Sequence, residues 1–353
     1  GGFIGDPDVM DTWATSSLTP QIAGGWERDP DLWQRVWPMD LRPQAHEIIR
    51  TWLFSTVVRA HLESDELPWR HAAISGWILD PDRKKMSKSK GNVVTPMDLL
   101  AEHGSDAVRY WAASGRPGTD TAFDVGQMKI GRRLATKVLN ASKFALGVFG
   151  DAPVMVDAAA VTAAVDRALC AQLATLINDA TAAFEEYDYA RALELTERFF
   201  WMFCDDYIEL VKERAYNGEP EDAASARAAL AATLSVVLRL FAPFMPFVTE
   251  EVWSWWQEGS VHRQPWPTAD EVSTAGGESA VLSDAAAVLS LLRKAKSEAK
   301  VSMKAPIAHA EVTSTAEQLA RIQSVATDLA AAGAVAQFSW AEGDQLAVSA
   351  TLA

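Results

Sequence analysis

Apolar residues recur every three to four positions through the middle of the chain, which is the spacing of helices that bury one face. The pattern predicts helices over 127–149, 166–184, 190–214 and 225–241, and Pro243 ends the last of them. Successive amphipathic helices of this length are typical of an antiparallel bundle. We therefore predict an all-α helical bundle in this part of the protein.

Ahead of the helical region, residues 1–115 mix short apolar runs with turns in an α/β manner. A helix is predicted over 43–62 and a short buried strand over 72–78. Turn residues at 80–82 end the strand, and Gly115-Arg116-Pro117-Gly118 marks the boundary to the helices. A loop rich in lysine and serine follows the strand directly, which is the context that a phosphate-binding loop requires.

The last part of the chain has a different pattern. A linker of small and acidic residues, 269–279, precedes a charged helix predicted over 283–300. Alternating apolar residues then predict strands over 307–313, 335–340 and 346–352, with a helix over 315–332 between them. We expect these elements to form a small α+β module.

The length of 353 residues predicts two or three domains. Charge is distributed unevenly over them. The net charge is −15, but residues 82–143 contain twelve Lys or Arg against six Asp or Glu. That local balance of +6 leaves −21 on the rest of the chain. A basic segment in an acidic protein suits a polyanionic ligand bound at one place, although a solvated helix face has the same pattern.

Other classes of protein are disfavoured. Cys170 and Cys204 are 34 positions apart within predicted helices, which argues against a disulfide framework or a Cys-x-x-Cys zinc site and favours two buried thiols. We find no leader of the signal-peptide kind, and an arginine and two prolines interrupt the longest apolar stretch, 234–248. We expect a soluble cytoplasmic protein with no membrane contact and no protein-bound metal.

The chemistry concentrates in residues 85–92, Lys-Met-Ser-Lys-Ser-Lys-Gly-Asn. The ammonium groups of Lys85 and Lys88 are suited to neutralise the negative charge of bound phosphate groups. Small residues keep such a loop mobile and a methionine anchors it on apolar surface, roles that we assign to Ser87, Ser89, Gly91 and Met86. A lysine-rich surface turn is the alternative interpretation.

The run from 85 to 110 resembles the signature loop and following helix of the class I aminoacyl-tRNA synthetases. The resemblance implies that the loop closes over the triphosphate of ATP, which binds with Mg²⁺. That family also carries a His-x-Gly-His loop, and the 353 residues contain no such tetrapeptide. Because the chain begins with Gly1-Gly2-Phe3, we expect the C-terminal portion of a longer enzyme, without the upstream half-site and the editing domain, and inactive alone.

Two further segments resemble the valyl members of the family in particular. Residues 8–17 resemble their Asp-x-x-Asp-Thr-Trp-x-x-Ser-Ser segment, and 47–52 their Asp-Ile-Ile-x-x-Trp helix. The resemblance implies that Trp13, Ile48 and Trp52 line the pocket for the valine side chain. Two rigid indoles would narrow that cavity enough to exclude the extra methylene of isoleucine, which is worth about 1–3 kcal/mol. On a regular helix Ile48 and Trp52 would lie one turn apart and face the same way.

At 45–47 the chain reads Ala-His-Glu where many members read Gly-x-Asp. By the resemblance, Glu47 accepts a hydrogen bond from the ATP ribose. His46 is predicted to be a surface or core histidine, because these enzymes activate a carboxylate that is already ionised and need no general base. Downstream, Lys129, Arg133 and Lys137 follow one another at helical spacing, and this cationic stripe suits the tRNA backbone or, alternatively, only solvent.

The fold class implied is a partial Rossmann-type α/β nucleotide-binding domain, followed by an all-α helical bundle and a small C-terminal α+β module. The expected domains are the C-terminal half of the catalytic domain (1–115), a connecting stem helix (116–150), the anticodon-binding bundle (151–270) and a C-terminal helix with the α+β module (280–353). The implied activity is ATP-dependent formation of valyl-adenylate and transfer of valine to tRNA(Val) by a monomer. An isoleucyl or leucyl enzyme and a non-catalytic tRNA-binding module remain alternatives.

Overall fold

The computed structural model describes residues 2–5, 12–87, 91–150, 152–274 and 276–353. These residues are mostly helical, with small sheets. They divide into two compact units, the first comprising Gly1–Thr95 with Gly115–Asp124 and the second Pro96–Ser114 with Val125–Ala353. The units therefore alternate along the chain near residue 115, where the sequence predicts a single boundary.

The first unit is built around a parallel strand pair. Strands β1 and β2 pair from Met39 opposite Trp69 to Ala45 opposite Ser75, and helix α4 connects them, whereas β3 pairs in parallel with β4. The elements are α1 (Thr12–Ser16), α2 (Thr19–Ala23), α3 (Pro30–Val36), β1 (Met39–Ala45), a 3₁₀ turn (His46–Ile48), a π-helical turn (Ile49–Leu53), α4 (Phe54–Ser64), β2 (Trp69–Ser75), β3 (Ile78–Leu79) and β4 (Thr121–Ala122).

The helix predicted over 43–62 is wrong in its first part. Pro43 lies in β1, opposite Ala73 of β2, and the regular helix begins at Phe54 after the 3₁₀ and π-helical turns. A residue before proline is biased towards extended backbone, so Arg42 favours a strand, and parallel pairing with β2 stabilises it. Periodicity alone did not reveal this competition.

The strand predicted over 72–78 is interrupted at Gly76. A Cβ atom at this position would lie 2.2 Å from the carbonyl oxygen of Thr119, so only glycine allows the two backbones to approach this closely. The next residue, Trp77, donates its backbone N–H to Oδ1 of Asp120 at 2.8 Å. These contacts hold residues 118–121 beside the strand end that leads into the lysine-rich loop.

The second unit is mainly helical. The four helices predicted from periodicity are confirmed, although a π-helical turn interrupts the third, and the helix predicted over 315–332 is two helices. The elements are α5 (Pro96–His103), α6 (Ser105–Ala113), α7 (Val125–Gly147), α8 (Ala164–Glu185), α9 (Tyr189–Met202), the π-helical turn (Phe203–Tyr207), α10 (Ile208–Asn217), α11 (Pro220–Phe241), α12 (Pro246–Trp253), α13 (Ala280–Glu298), β5 (Ile307–Ser314), α14 (Ala316–Gln323), α15 (Ala326–Gly333), β6 (Phe338–Glu342) and β7 (Ala347–Leu352).

One apolar core runs through this unit. Leu134 of α7, Leu169 of α8, Leu230 of α11, Leu289 of α13 and Val312 of β5 all belong to it and are fully buried. Strand β5 lies between β6, which is parallel to it, and β7, which is antiparallel. The C-terminal sheet therefore shares its core with the preceding helices.

Helix α11 and the two cysteines belong to the interior. Pro220–Phe241 is long and apolar enough to cross a membrane, but 89% of its apolar window is buried inside the protein, as expected for a core helix. Cys170 and Cys204 are buried free thiols, as predicted, and burial raises the pKa of each to about 12. Neither thiol is exposed to reagents in solution.

Helix α6 is joined to the corner between α11 and α12 by two side chains. The Asp106 carboxylate accepts the backbone N–H groups of Phe247 (3.1 Å) and Val248 (2.7 Å) at the start of α12. Arg109 donates to carbonyl oxygens that follow α11, including that of Pro243 at 2.7 Å. An acid at a helix start and a cation at a helix end both complement the helix dipole. The segment 104–109 therefore holds this corner from both sides.

Candidate functional site

The lysine-rich loop 85–92 is closed at its base by Asp80 and Asn92. Asn92 donates from Nδ2 to Oδ2 of Asp80 at 2.8 Å, and its Oδ1 accepts the backbone N–H of Ser87 at 2.9 Å. The other carboxylate oxygen of Asp80 accepts the N–H of Lys84 at 2.7 Å. The hydrogen bond from Asn92, followed by that from Lys84, lowers the pKa of Asp80. Asp80 is therefore ionised at neutral pH and holds both ends of the loop.

The first lysine of the loop projects into a small polar and aromatic cluster. Lys85 Nζ lies 3.1 Å from Oε2 of Glu47 and 3.7 Å from the centroid of the Trp77 ring. The His46 ring stacks on Trp77 with centroids 5.2 Å apart. The Lys85 side chain is still 48% exposed. The Lys85 ammonium carries three donor hydrogens, and Glu47 accepts one of them. The ammonium therefore retains the capacity to bind an incoming anion.

The predicted loop residues have different outcomes. Met86 and Ser87 are half-buried, whereas Lys88 and Ser89 lie outside the described residues. Glu47, which the resemblance assigned to a ribose, directs its carboxylate to Lys85. His46 is exposed, with Nδ1 3.2 Å from the carbonyl oxygen of Ser75.

The residues predicted to line an amino-acid pocket lie in neighbouring elements. Trp52 donates its indole N–H to the carbonyl oxygen of Ser16 at 2.7 Å, which joins the π-helical turn to α1, the helix that carries Trp13. Trp13, Ile48 and Trp52 are all half-buried. The regular helical turn predicted between Ile48 and Trp52 is wrong, because Ile48 ends the 3₁₀ turn and Trp52 lies in the π-helical turn. Short π-helical segments occur frequently at functional sites.

The cationic stripe lies on α7, as its spacing predicts, but its members differ. Lys129 and Arg133 are exposed, whereas Lys137 donates to Oδ1 of Asp205 at 2.9 Å and lies 5.4 Å from the Trp201 ring centroid. Burial lowers the pKa of Lys137, but the hydrogen bond and charge of Asp205 more than offset this and raise it overall. Lys137 is therefore charged but already paired.

Sequence reasoning did not select Trp77, Asp80, Asn92 or Arg42 as site residues. Asn92 ends the lysine-rich motif and Asp80 begins the turn before it, so their spacing carried a local signal. Trp77 carried a weaker signal, an aromatic residue eight positions before Lys85. In the part of the chain that the structure describes, no group of three or more His, Cys, Asp or Glu residues is arranged to hold a metal ion.

Known families match both parts of the chain. The model described as tRNA synthetases class I (I, L, M and V) matches residues 1–124, and the model described as anticodon-binding domain of tRNA ligase matches residues 166–313. A solved structure, the ternary complex of Agrobacterium radiobacter K84 LeuRS with tRNA and LeuAMS, is similar with a TM-score of 0.63 over 76% of this chain and 34% of that one. Its sequence identity is 22%, so the likeness concerns the fold alone. Residues 1–124 thus belong to the class I tRNA synthetase family, and residues 166–313 to the anticodon-binding family.

Within this class, the chain is similar to curated valine--tRNA ligases. That of Thermobifida fusca (strain YX) is 67% identical over 337 residues, which are 95% of this chain and 38% of the relative. Those of Salinispora arenicola (strain CNS-205) and Cutibacterium acnes (strain DSM 16379 / KPA171202) are 61% and 56% identical, over 98% and 100% of this chain and 42% and 40% of the relatives. The chain thus spans about two fifths of the relatives' length. The predicted resemblance to valyl-tRNA synthetases is confirmed.

Proposed function

We propose that the chain forms part of a valine--tRNA ligase, which activates valine with ATP to valyl-adenylate and transfers the valyl group to tRNA(Val). The observation that carries this proposal is the half-exposed Lys85 ammonium between Glu47 and Trp77, on a loop closed by Asp80 and Asn92. Identities of 52–67% with valine--tRNA ligases support valine over isoleucine or leucine as the substrate.

The chemistry proposed for Lys85 is electrostatic. When a carboxylate attacks the α-phosphorus of ATP, negative charge moves onto the departing pyrophosphate, and a nearby ammonium stabilises that charge. Lys88, on the same loop, is proposed to act with it. Glu47 holds Lys85 by a single contact, so that a phosphate oxygen has one carboxylate to displace. The face of the Trp77 ring would contact the ammonium by a cation–π interaction both when Glu47 is its partner and when a phosphate oxygen is.

We propose that Mg²⁺ arrives with the nucleotide and that the described residues form no separate site for it. The described residues offer no cluster of metal ligands. Mg²⁺ commonly keeps several waters and binds through substrate phosphates, which needs no such cluster. The lysines of this chain would then neutralise charge on the phosphates.

The two units are proposed to have separate tasks. The parallel β1–α4–β2 arrangement supports a role for the first unit within a Rossmann-type nucleotide-binding domain, with Trp13, Ile48 and Trp52 as walls of the valine pocket. The match over 166–313 supports an anticodon-binding role for the bundle, residues 151–270. Exposed Lys129 and Arg133 would contact the tRNA backbone. We propose a cytoplasmic enzyme that acts as a monomer.

The proposal is tested by valine-dependent ATP–pyrophosphate exchange in the full-length protein, or in the Thermobifida fusca relative with this chain replacing its counterpart. We expect Lys85→Ala to lower the rate by 10²–10³, about 2.7–4 kcal/mol, because a preorganised charge is lost. Lys84→Ala is the matched control, since Lys84 is 70% exposed and pairs with Asp82. Equal rates for the two variants, or exchange driven by isoleucine or leucine in place of valine, would overturn the proposal.

A further inference from the structure

Arg42 lies in the interior of the first unit, where the described residues give it no charged partner. It belongs to β1, on the same face as Gln44, and is 7% exposed. Among the residues that the structure describes, its Nε and Nη2 atoms have no hydrogen-bond partner. Burial lowers its pKa to about 10, so it is charged at neutral pH. A buried charge without a counter-ion is costly, and an apolar side chain of similar size would serve stability better.

The contacts that Arg42 does make are with two indole rings. Its guanidinium carbon lies directly over the face of Trp52 and 5.1 Å from the centroid of the Trp69 ring. A planar guanidinium on an indole face gains both cation–π attraction and stacking, which a lysine ammonium does not reproduce in full. The attraction that offsets the cost of burying Arg42 therefore comes from these two rings, and it favours the positions in which they lie against the guanidinium.

Trp52 is held at two places as a result. Arg42 covers the face of the ring, and the ring N–H donates to the carbonyl oxygen of Ser16 at 2.7 Å. A single hydrogen bond leaves an indole free to swing about the N–H direction, whereas a group stacked on its face removes that freedom. Ser16 is itself tied down, because the next residue, Ser17, accepts a hydrogen bond from Arg59 Nε at 2.9 Å.

We infer that Arg42 is a positioning residue that holds the Trp52 indole in place and thereby sets how strictly the amino-acid pocket selects its substrate by size. The inference rests on the proposed function, in which Trp52 is a wall of the valine pocket. Arg42 does not touch the substrate. It acts by preventing the wall from moving aside for the extra methylene of isoleucine.

The test compares kcat/KM for valine and for isoleucine in ATP–pyrophosphate exchange by the full-length protein. Discrimination against one methylene is about 10- to 200-fold, and a mobile wall forfeits much of it. We expect Arg42→Met to lower the valine-to-isoleucine ratio at least fivefold, with KM for ATP unchanged. Arg42→Lys should retain an intermediate ratio. Arg70→Met is the matched control, because Arg70 lies on the neighbouring strand and its side chain is 65% exposed.

A double-mutant comparison distinguishes a positioning role of Arg42 from a purely structural one. Trp52→Ala should lower the ratio alone, and Arg42→Met should add nothing in that background, whereas general loosening would add a further loss. An unchanged ratio in Arg42→Met, or an equal loss in both backgrounds, overturns the inference alone. Absence of valine-dependent exchange in the unmodified protein overturns the proposed function and the inference with it. Should Arg42→Met not fold, a ratio for Arg42→Lys equal to that of the unmodified protein decides against the inference.

Discussion

Arg214 of α10 is expected to contribute strongly to the stability of the second unit. Its guanidinium donates to both carboxylate oxygens of Asp166, at 2.8 and 2.9 Å, and from Nε to Asp328 at 2.9 Å. The Asp166 carboxylate also accepts the hydroxyl groups of Tyr207 and Ser225. Asp166 has no exposed surface, and the Asp328 side chain is 9% exposed. Arg214 thus neutralises two buried carboxylates on α8 and α15.

Replacing Arg214 with methionine keeps the length of the side chain and removes its charge. Two buried carboxylates then remain without a counter-ion, and loss of one partner from a buried ion pair costs about 3–5 kcal/mol. For a domain of this size each kcal/mol lowers Tm by about 2–4 °C, so we expect a decrease of roughly 6–20 °C. The assays are thermal unfolding and urea titration followed by circular dichroism at pH 8.

The pH dependence gives a second check. Burial raises the pKa of Asp328 above its ordinary value, although Arg214 opposes this. Without Arg214 the folded-state pKa rises further above the unfolded one, and the folded state then binds the proton more tightly. Such a group favours folding at low pH and loses that contribution as the pH rises through the folded pKa. The deficit of the variant should therefore be smaller at pH 5 than at pH 8.

The control is Arg191→Met, which removes an exposed pair with Glu194 and should cost no more than about 0.5 kcal/mol. A loss below about 1 kcal/mol for Arg214→Met would refute the reasoning. So would a deficit that is independent of pH, because it would point to lost packing and not to unpaired charge.

Four further outcomes are expected. Asn92→Ala should increase hydrogen exchange of the Ser87 amide about fivefold, the equivalent of one hydrogen bond of about 1 kcal/mol, and an unchanged rate would contradict the proposed closure of the loop. Hydrogen bonds lower the pKa of Asp80 from 3.8, so its carboxylate should protect the Lys84 amide fully above pH 3.8. This protection should be lost as the pH falls through the lower pKa of the folded state, and hydrogen exchange of that amide measures it. Asp106→Ala should cost about 0.5–2 kcal/mol in urea titrations, as for other helix caps, with the exposed Asp98→Ala as control. Cys170 and Cys204 should resist a thiol reagent at pH 8 until the protein is denatured, since burial raises both pKa values to about 12; fast labelling of the native protein would show that the core opens.

Local pattern was sufficient for much of this protein. Helical periodicity located the helices over 127–149, 166–184 and 225–241, because an amphipathic helix in a core must repeat every 3.6 residues. The run of residues 85–92 indicated phosphate chemistry, since few other tasks require that composition, and together with 8–17 and 47–52 it indicated the family. Burial of the two cysteines followed from their place in apolar helices.

The tertiary structure decided what depends on residues distant in sequence. Pairing with β2 drew Pro43 into a strand and replaced a predicted helix, since hydrogen bonds between strands outweigh local propensity. The partner of Lys85 is 38 positions away, and Arg42 acquires its role from tryptophans brought to it by a turn and a second strand. The sequence states which residue types are present. Only the folded chain determines that the charge of Arg42 is buried and which aromatic rings offset the cost of burying it.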